Sequence, residues 1–320
     1  MQLTAQASVK KTKKKKNKNK ITLSKIKDQR YLIYMSLPFV IWLIIFKYLP
    51  LAGWAMAFED YKPAKGFFNQ KWVGLKHFKV LFHEEQFYQS LENTLGMSLL
   101  GLVFGTTLAI LFAVLINEVR ALKFKKIVQT ISYLPHFVSW VVAAGIITSM
   151  LATNGPVNEF LMKIGLVKSS INFMAKPNMF WGVVTASDVW KETGWNAIIY
   201  LAAMTSIDPE LYEAAEMDGA GRLRKIWNIT LPGIRPTIIV LLIMNIGNVI
   251  NIGFEKQYLL GNNIVADKSL VLDKYALEYG IGMFRYSFGT AIGIFKSVVS
   301  IILIFAANKI ASKTGDVKLV

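Results

Sequence analysis

The fold class predicted by the sequence is all-α and integral to a membrane, with six transmembrane helices, and three observations predict it. The 320 residues are 53% hydrophobic and 18% charged, with mean hydropathy +0.40. That is more apolar than a soluble chain, in which about a quarter of residues are charged. Six apolar stretches, near 32–57, 94–116, 128–151, 179–203, 236–252 and 290–307, lie along the chain. Each is long enough to cross a hydrocarbon core of roughly 30 Å at about 1.5 Å per helical residue. Between the fourth and fifth, residues 204–235 form a charged, amphipathic island.

Residues 1–30 read as a disordered basic tail. They carry Lys10–Lys20, KKTKKKKNKNK, in a chain of net charge +17. No aromatic interleaves this run and a span follows it, so the reading is attraction to anionic membrane lipids, at roughly 1 kcal/mol per nearby lysine, and not nucleic-acid binding. The long polar lead also argues against a cleaved signal peptide.

The transmembrane domain covers 31–313, with 314–320 as a C-terminal tail. In the first span, Lys47 and Pro50 interrupt the apolar run, so the helix is expected either to end near Phe46 or to turn Lys47 toward protein or water. The third places Tyr133, His136 and Trp140 on one helix side. The fourth holds the densest polar and aromatic cluster, Asp188, Trp190, Lys191, Glu192, Trp195 and Asn196; Asp188 and Lys191 stand three apart, where they could neutralise each other. The fifth carries Asn245, Asn248 and Asn251 as a stripe, read equally as packing or as cavity lining. In the sixth, Lys296 awaits a carboxylate on another helix or on an acidic sugar. Polar side chains at membrane depth face protein or a wet cavity, which makes these residues the candidates for a substrate pathway.

Charge orients the chain. With the N-terminus inside, inner segments hold 22 Lys/Arg (eleven before Tyr31, four in 117–126, four in 204–235, three after Ala307) against 12 in the outer loops at 59–92, 152–178 and 253–289. The positive-inside rule therefore puts both termini and the island in the cytoplasm.

The island has a readable shape. Asp208-Pro209 starts a helix, and Leu211, Ala214 and Ala215 share helical spacing. Asp218-Gly219 makes a turn, and a second short helix from Ala220 sets Leu223, Ile226 and Trp227 on one face. Pro232 and Pro236 are expected to stop that helix and re-aim the chain.

No cysteine is present, and the three histidines are scattered, so neither a disulfide nor a metal site is predicted. There is no Gly-Lys dipeptide for a P-loop and no G-x-S-x-G elbow. No covalent chemistry, and no cofactor in this chain, is expected. The alternatives from other classes are an ion-coupled secondary transporter built on Asp188 and Glu192, and a membrane enzyme acting on lipid-linked sugars.

The segment Glu213-Ala214-Ala215, three residues, Gly219, nine residues, Ile229-x-Leu231-Pro232 resembles the EAA signature of bacterial ABC importer permeases. Further stretches resemble the branch that imports polysaccharide-derived oligosaccharides: FKYLPLAGWAMAFEDYKP from Phe46, FKKIVQTISYLPHFVSWVV from Phe124, KETGWNAIIYLAAM from Lys191, NIGFEKQYLL from Asn251 and GTAIGIFKSVVS from Gly289. The resemblance implies a type I importer permease fold in a bacterial cytoplasmic membrane. It implies coupling to two ATP-binding subunits, which carry ATP and Mg, through Glu213, Ala214, Ala215, Gly219, Ile229, Leu231 and Pro232. A second, similar permease subunit and an extracytoplasmic solute-binding protein complete the expected assembly, with an oligosaccharide as cargo.

Overall fold

The computed structural model describes residues 29–313; the basic tail and residues 314–320 lie outside them. Two units are distinguished, one up to Gly53 and one from Trp54 on. In the first, α1 (Arg30–Leu43) passes through Lys47 as a wide π turn, Ile44–Tyr48, and does not end near Phe46. The N–H of Leu49 donates to the carbonyl five residues back, Ile44, immediately ahead of Pro50, which has no N–H to place.

In the second unit, a two-residue antiparallel pair joins β1 (Glu59–Asp60) to β2 (Lys71–Trp72), followed by α2 (Lys76–Leu81) and the 34-residue α3 (Glu85–Glu118). Next come α4 (Leu122–Phe137), α5 (Trp140–Met150), α6 (Pro156–Lys163) and α7 (Pro177–Met204). The island seen in the sequence is α8 (Pro209–Met217) and α9 (Arg222–Lys225), which runs through a π turn, Ile226–Thr230, into α10 (Leu231–Gly247). Short helices α11 (Glu255–Leu260), α12 (Ala266–Ser269) and α13 (Leu272–Tyr275) lead through a π segment, Ala276–Gly282, to α14 (Tyr286–Lys313).

Among the described residues, four helices are long and apolar enough to cross a membrane: Arg30–Phe58, Glu85–Glu118, Arg222–Gly247 and Tyr286–Lys313. The predicted third span is not one straight helix. It breaks after Phe137 and turns by 107° into α5, because Val138 and Ser139 are extended and Ser139 Oγ caps the new helix at Val142 N. Trp140 therefore does not continue the face of Tyr133 and His136. The fifth span ends at Gly247, five residues short of the prediction, so Asn248 and Asn251 lie beyond the helix and form no helical stripe with Asn245. Pro232 and Pro236 stop nothing. As before Pro50, the residue ahead of Pro232 donates five back, Leu231 N to Ile226 O, and the helix carries both prolines.

Packing follows the small residues. Buried Ala109 and Ala113 of α3 meet Ala197, Tyr200 and Met204 of α7 and Ile234 of α10 in one cluster. A second, around Met97, Ala143, Phe180, Val184 and Leu260, joins α3, α5, α7 and α11. Side chains at interfaces this small let helix backbones approach, which is how helices associate where lipid offers no hydrophobic gain. Buried Asn93 of α3 ties down α12 and the residue after it by donating to Asp267 O (2.6 Å) and Leu270 O (2.8 Å), and Thr94 Oγ1 receives Leu272 N at the start of α13 (2.9 Å).

Candidate functional site

Two features stand out, a knob built on α8 and α9 and a polar cavity between helices. The knob begins as its sequence predicts. Asp208 caps α8 by accepting from Glu210 N at 3.0 Å, with Pro209 at the first helical position. It closes in a Schellman arrangement: Gly219, at φ +73°, donates to Glu216 O (3.0 Å) and Ala220 donates to Ala215 O (2.8 Å). The second helix starts at Arg222, two residues later than expected, because Gly221 is extended (φ −69°, ψ 168°) and stands as its N-cap residue.

Two contacts brace the knob, Lys225 Nζ to Glu216 Oε1 at 2.5 Å and Tyr212 Oη with Thr230 Oγ1 at 3.0 Å. The Lys225 ammonium on Glu216 holds that carboxyl below the usual carboxylate range. Glu213 and Ala214 are exposed, and Met217, Leu223 and Trp227 present large apolar surfaces, at 89%, 82% and 73% exposure. Ile226 turns the other way, into the cluster of Tyr200, Met204 and Ile234. Ile229 and Leu231 are half-buried and Pro232 is exposed at the knob's base.

The cavity, of about 360 Å³, opens among α3, α7, α10 and α11. Its walls hold Glu192, Asn196, Asn245, Asn248 and Asn251 from the predicted pathway. Sequence reading missed Thr106, Thr193 and Lys256 as lining residues. Lys256 left no local signal, because its partner, Asp188, is 68 positions away.

The other candidates go elsewhere. Trp190 lines a separate apolar groove with Ile146, Met150 and Phe173. Tyr133, His136, Trp140, Lys191 and Trp195 do not line the cavity, and the last four gather where α4 breaks. There His136 stacks on Trp195, rings 4.3 Å apart and 2° from parallel, and His136 Nδ1 meets Glu192 Oε2 at 2.7 Å. Lys191, only 5% exposed, does not pair with Asp188. Its ammonium reaches Glu192 Oε1 (3.2 Å) and the carbonyl of His136 (2.7 Å), one of those left without a helical partner where α4 breaks. Asp188 pairs with Lys256 instead. Lys296 is bound by Asp273 and does not reach the cavity.

Cavity and knob share a mechanical frame. Tyr200 and Leu241 line the cavity, and both belong to the packed cluster that holds Ile226 and Leu231 at the knob's base.

Comparison with known proteins agrees with this architecture. The family model described as binding-protein-dependent transport system inner membrane component matches residues 101–314. The chain is 45% identical over 303 residues to the polygalacturonan/rhamnogalacturonan transport system permease protein YteP of Bacillus subtilis (strain 168), covering 94% of each. It is 31% identical to the arabinooligosaccharides transport system permease protein AraP of the same organism, over 86% of each. Among solved structures, a chain of a bacterial ABC transporter involved in import of the acidic polysaccharide alginate superposes with TM-score 0.82 at 41% identity, over 91% of this chain and 98% of that one. The alginate transporter in complex with an alginate pentasaccharide-bound periplasmic protein gives 0.84 at 40%, over 92% and 99%. With a match that takes in the broken span, most of the cavity walls and the whole knob, the chain belongs to the inner-membrane component family of binding-protein-dependent transport systems.

Proposed function

We propose that the chain is the permease subunit of an ATP-driven importer that carries an acidic oligosaccharide, delivered by an extracytoplasmic binding protein, across a bacterial cytoplasmic membrane. The observation that carries this reading is the shared cluster: cavity-lining Tyr200 and Leu241 pack with Ile226 and Leu231 of the knob, so displacement of the knob moves the cavity wall. Interiors packed this closely switch between arrangements and do not deform continuously.

In this reading there are six spans: the four long apolar helices, the broken pair α4–α5, and α7, whose Asp188, Lys191 and Glu192 are tolerated in the membrane because each has a partner in protein. Both termini and the knob face the cytoplasm by the balance of Lys and Arg. A second, similar permease faces this one, and two ATP-binding subunits, holding ATP and Mg, receive the knobs. Glu213, Ala214, Gly219 and the exposed Met217, Leu223 and Trp227 form the docking surface. ATP binding at the partners stabilises one of two permease states, which is the energetic content of coupling. The acidic class of cargo is supported by the alginate importer and the polygalacturonan permease among the relatives.

The experiment is cargo-stimulated ATP hydrolysis by the reconstituted complex carrying Glu213→Lys or Gly219→Pro. Loss of stimulation or of assembly is expected; unchanged assembly and hydrolysis in both variants would remove the docking role.

A further inference from the structure

At one end of the cavity stand Met97, Asp188, Ile252 and Lys256, and at the other Ala109, Tyr200 and Leu241. Met97 and Ala109 are twelve residues apart on α3, about 18 Å along the helix. The charge balance of these walls is informative. Asp188, Glu192 and Lys256 are the only ionisable Asp, Glu, Lys or Arg side chains among the described lining residues. Glu192 is compensated by Lys191 at 3.2 Å and is hydrogen-bonded to His136 at 2.7 Å, neither of which lines the cavity. Lys256 is thus the one cation that the cavity itself presents.

The ammonium of Lys256 has three N–H donors. Asp188 takes one, Trp140 lies 5.9 Å from the nitrogen by its ring face, and the other two donors have no partner among the described residues. At 17% side-chain exposure this cation is held in a mostly dry wall, where a charge-assisted hydrogen bond is stronger than in water. Nearby, the buried Thr193 hydroxyl is also unpartnered, and Asn196 and Asn245 line the same walls with amide groups suited to sugar hydroxyls.

We propose that Lys256 is the specificity-determining residue for a carboxylate on the cargo: held by Asp188, it offers its free N–H donors to a uronate group at that end of the cavity. Asp188 positions the ammonium and is a positioning residue. A neutral sugar meets the same hydroxyl-binding walls but gains nothing from the ammonium's charge. The proposal rests on the oligosaccharide-import reading above, and its test separates the two.

The test is saccharide binding to the purified whole transporter complex, by titration calorimetry without the binding protein, comparing an oligogalacturonide with its methyl ester, which has the same scaffold without charge. Lys256→Gln is expected to weaken acid binding by at least roughly tenfold, the value of a charged hydrogen bond, and to leave ester binding within about twofold. Lys256→Arg and Asp188→Asn are expected to retain acid binding. Lys256→His makes the same test reversibly, binding the acid at about pH 5.5 and losing it at about pH 8. If Lys256→Gln binds the acid normally, or if Lys256→Gln and Asp188→Asn weaken acid and ester alike, Lys256 is only a structural tie and the proposal fails while the import reading stands. If the unaltered complex binds neither saccharide, the cavity is no cargo site, and both fail.

Discussion

Gly194 sits on α7 where the helix meets the end of α4, and replacing it with alanine tests the geometry of the broken span. A Cβ there would lie 2.1 Å from the carbonyl oxygen of Ser132, 2.5 Å from its carbonyl carbon and 3.0 Å from its Cβ. Carbon and oxygen need about 3.3 Å, so a backbone must retreat by about 1 Å. Overpacking of this kind costs about 1–3 kcal/mol, and backbone is the least able to give. The retreat would also draw the His136 carbonyl, one turn beyond Ser132, away from Lys191 Nζ, which now sits 2.7 Å from it. Gly182 is the internal control on the same helix: a Cβ there meets nothing within 4 Å, and alanine gains up to about 1 kcal/mol of helix propensity. The propensity gain is common to both sites, so the two variants are expected to differ by the overpacking cost, about 1–3 kcal/mol. Thermal unfolding of the detergent-solubilised complex, followed by intrinsic fluorescence, should show Gly194→Ala melting well below the unaltered protein and Gly182→Ala at or above it. Equal melting of the two variants would refute the close approach of α4 and α7.

Three further expectations follow from named contacts. His77, whose Nε2 meets Glu59 O at 3.1 Å, has its pKa lowered from 6.5, chiefly by burial; the folded protein then binds fewer protons than the unfolded one below that value, so stability should fall as pH drops through and below about 6.5, and His77→Gln should flatten melting curves taken across that range. Lys296 and Asp273 pair with side chains 10% and 21% exposed; Lys296→Met alone should destabilise by roughly 3–5 kcal/mol, while Lys296→Met with Asp273→Leu recovers much of the loss in the same melting assay. At Gly219, where a Cβ has open space and only φ +73° disfavours it, docking to the ATPase should rank Gly, then Asn, then Ala, with Pro last; a size-ordered series instead would indicate a steric cause.

The first helix of the knob and its glycine turn were legible almost to the residue. Capping by Asp208, Pro209 at the helix start and the positive φ of Gly219 are decided within a few residues, by donors and dihedrals that each residue carries with it. The broken third span and the continuous Arg222–Gly247 helix were not. Pro232 and Pro236 read as breakers yet lie inside one helix, whereas Pro135 drew no such reading and stands two residues before the break. Whether the chain bends or widens by a π turn depends on what accepts or donates at the freed groups. At α4 the ammonium of Lys191 takes the His136 carbonyl, whereas at Pro232 the neighbour Leu231 reaches Ile226 five residues back.

What the sequence by itself determined is the membrane class, the approximate places of the apolar helices, and the first helix and glycine turn of the knob. Each depends on local composition or on spacing within one or two turns. Only the tertiary structure decided which charges meet and where the cavity lies. Lys191 takes Glu192 and a carbonyl of α4 in place of Asp188, Asp188 takes Lys256 from α11, and Lys296 takes Asp273. A charge in a dry interior must find a partner, and several sequence-distant residues can answer. The packing of α4, α7 and α11 determines which one does.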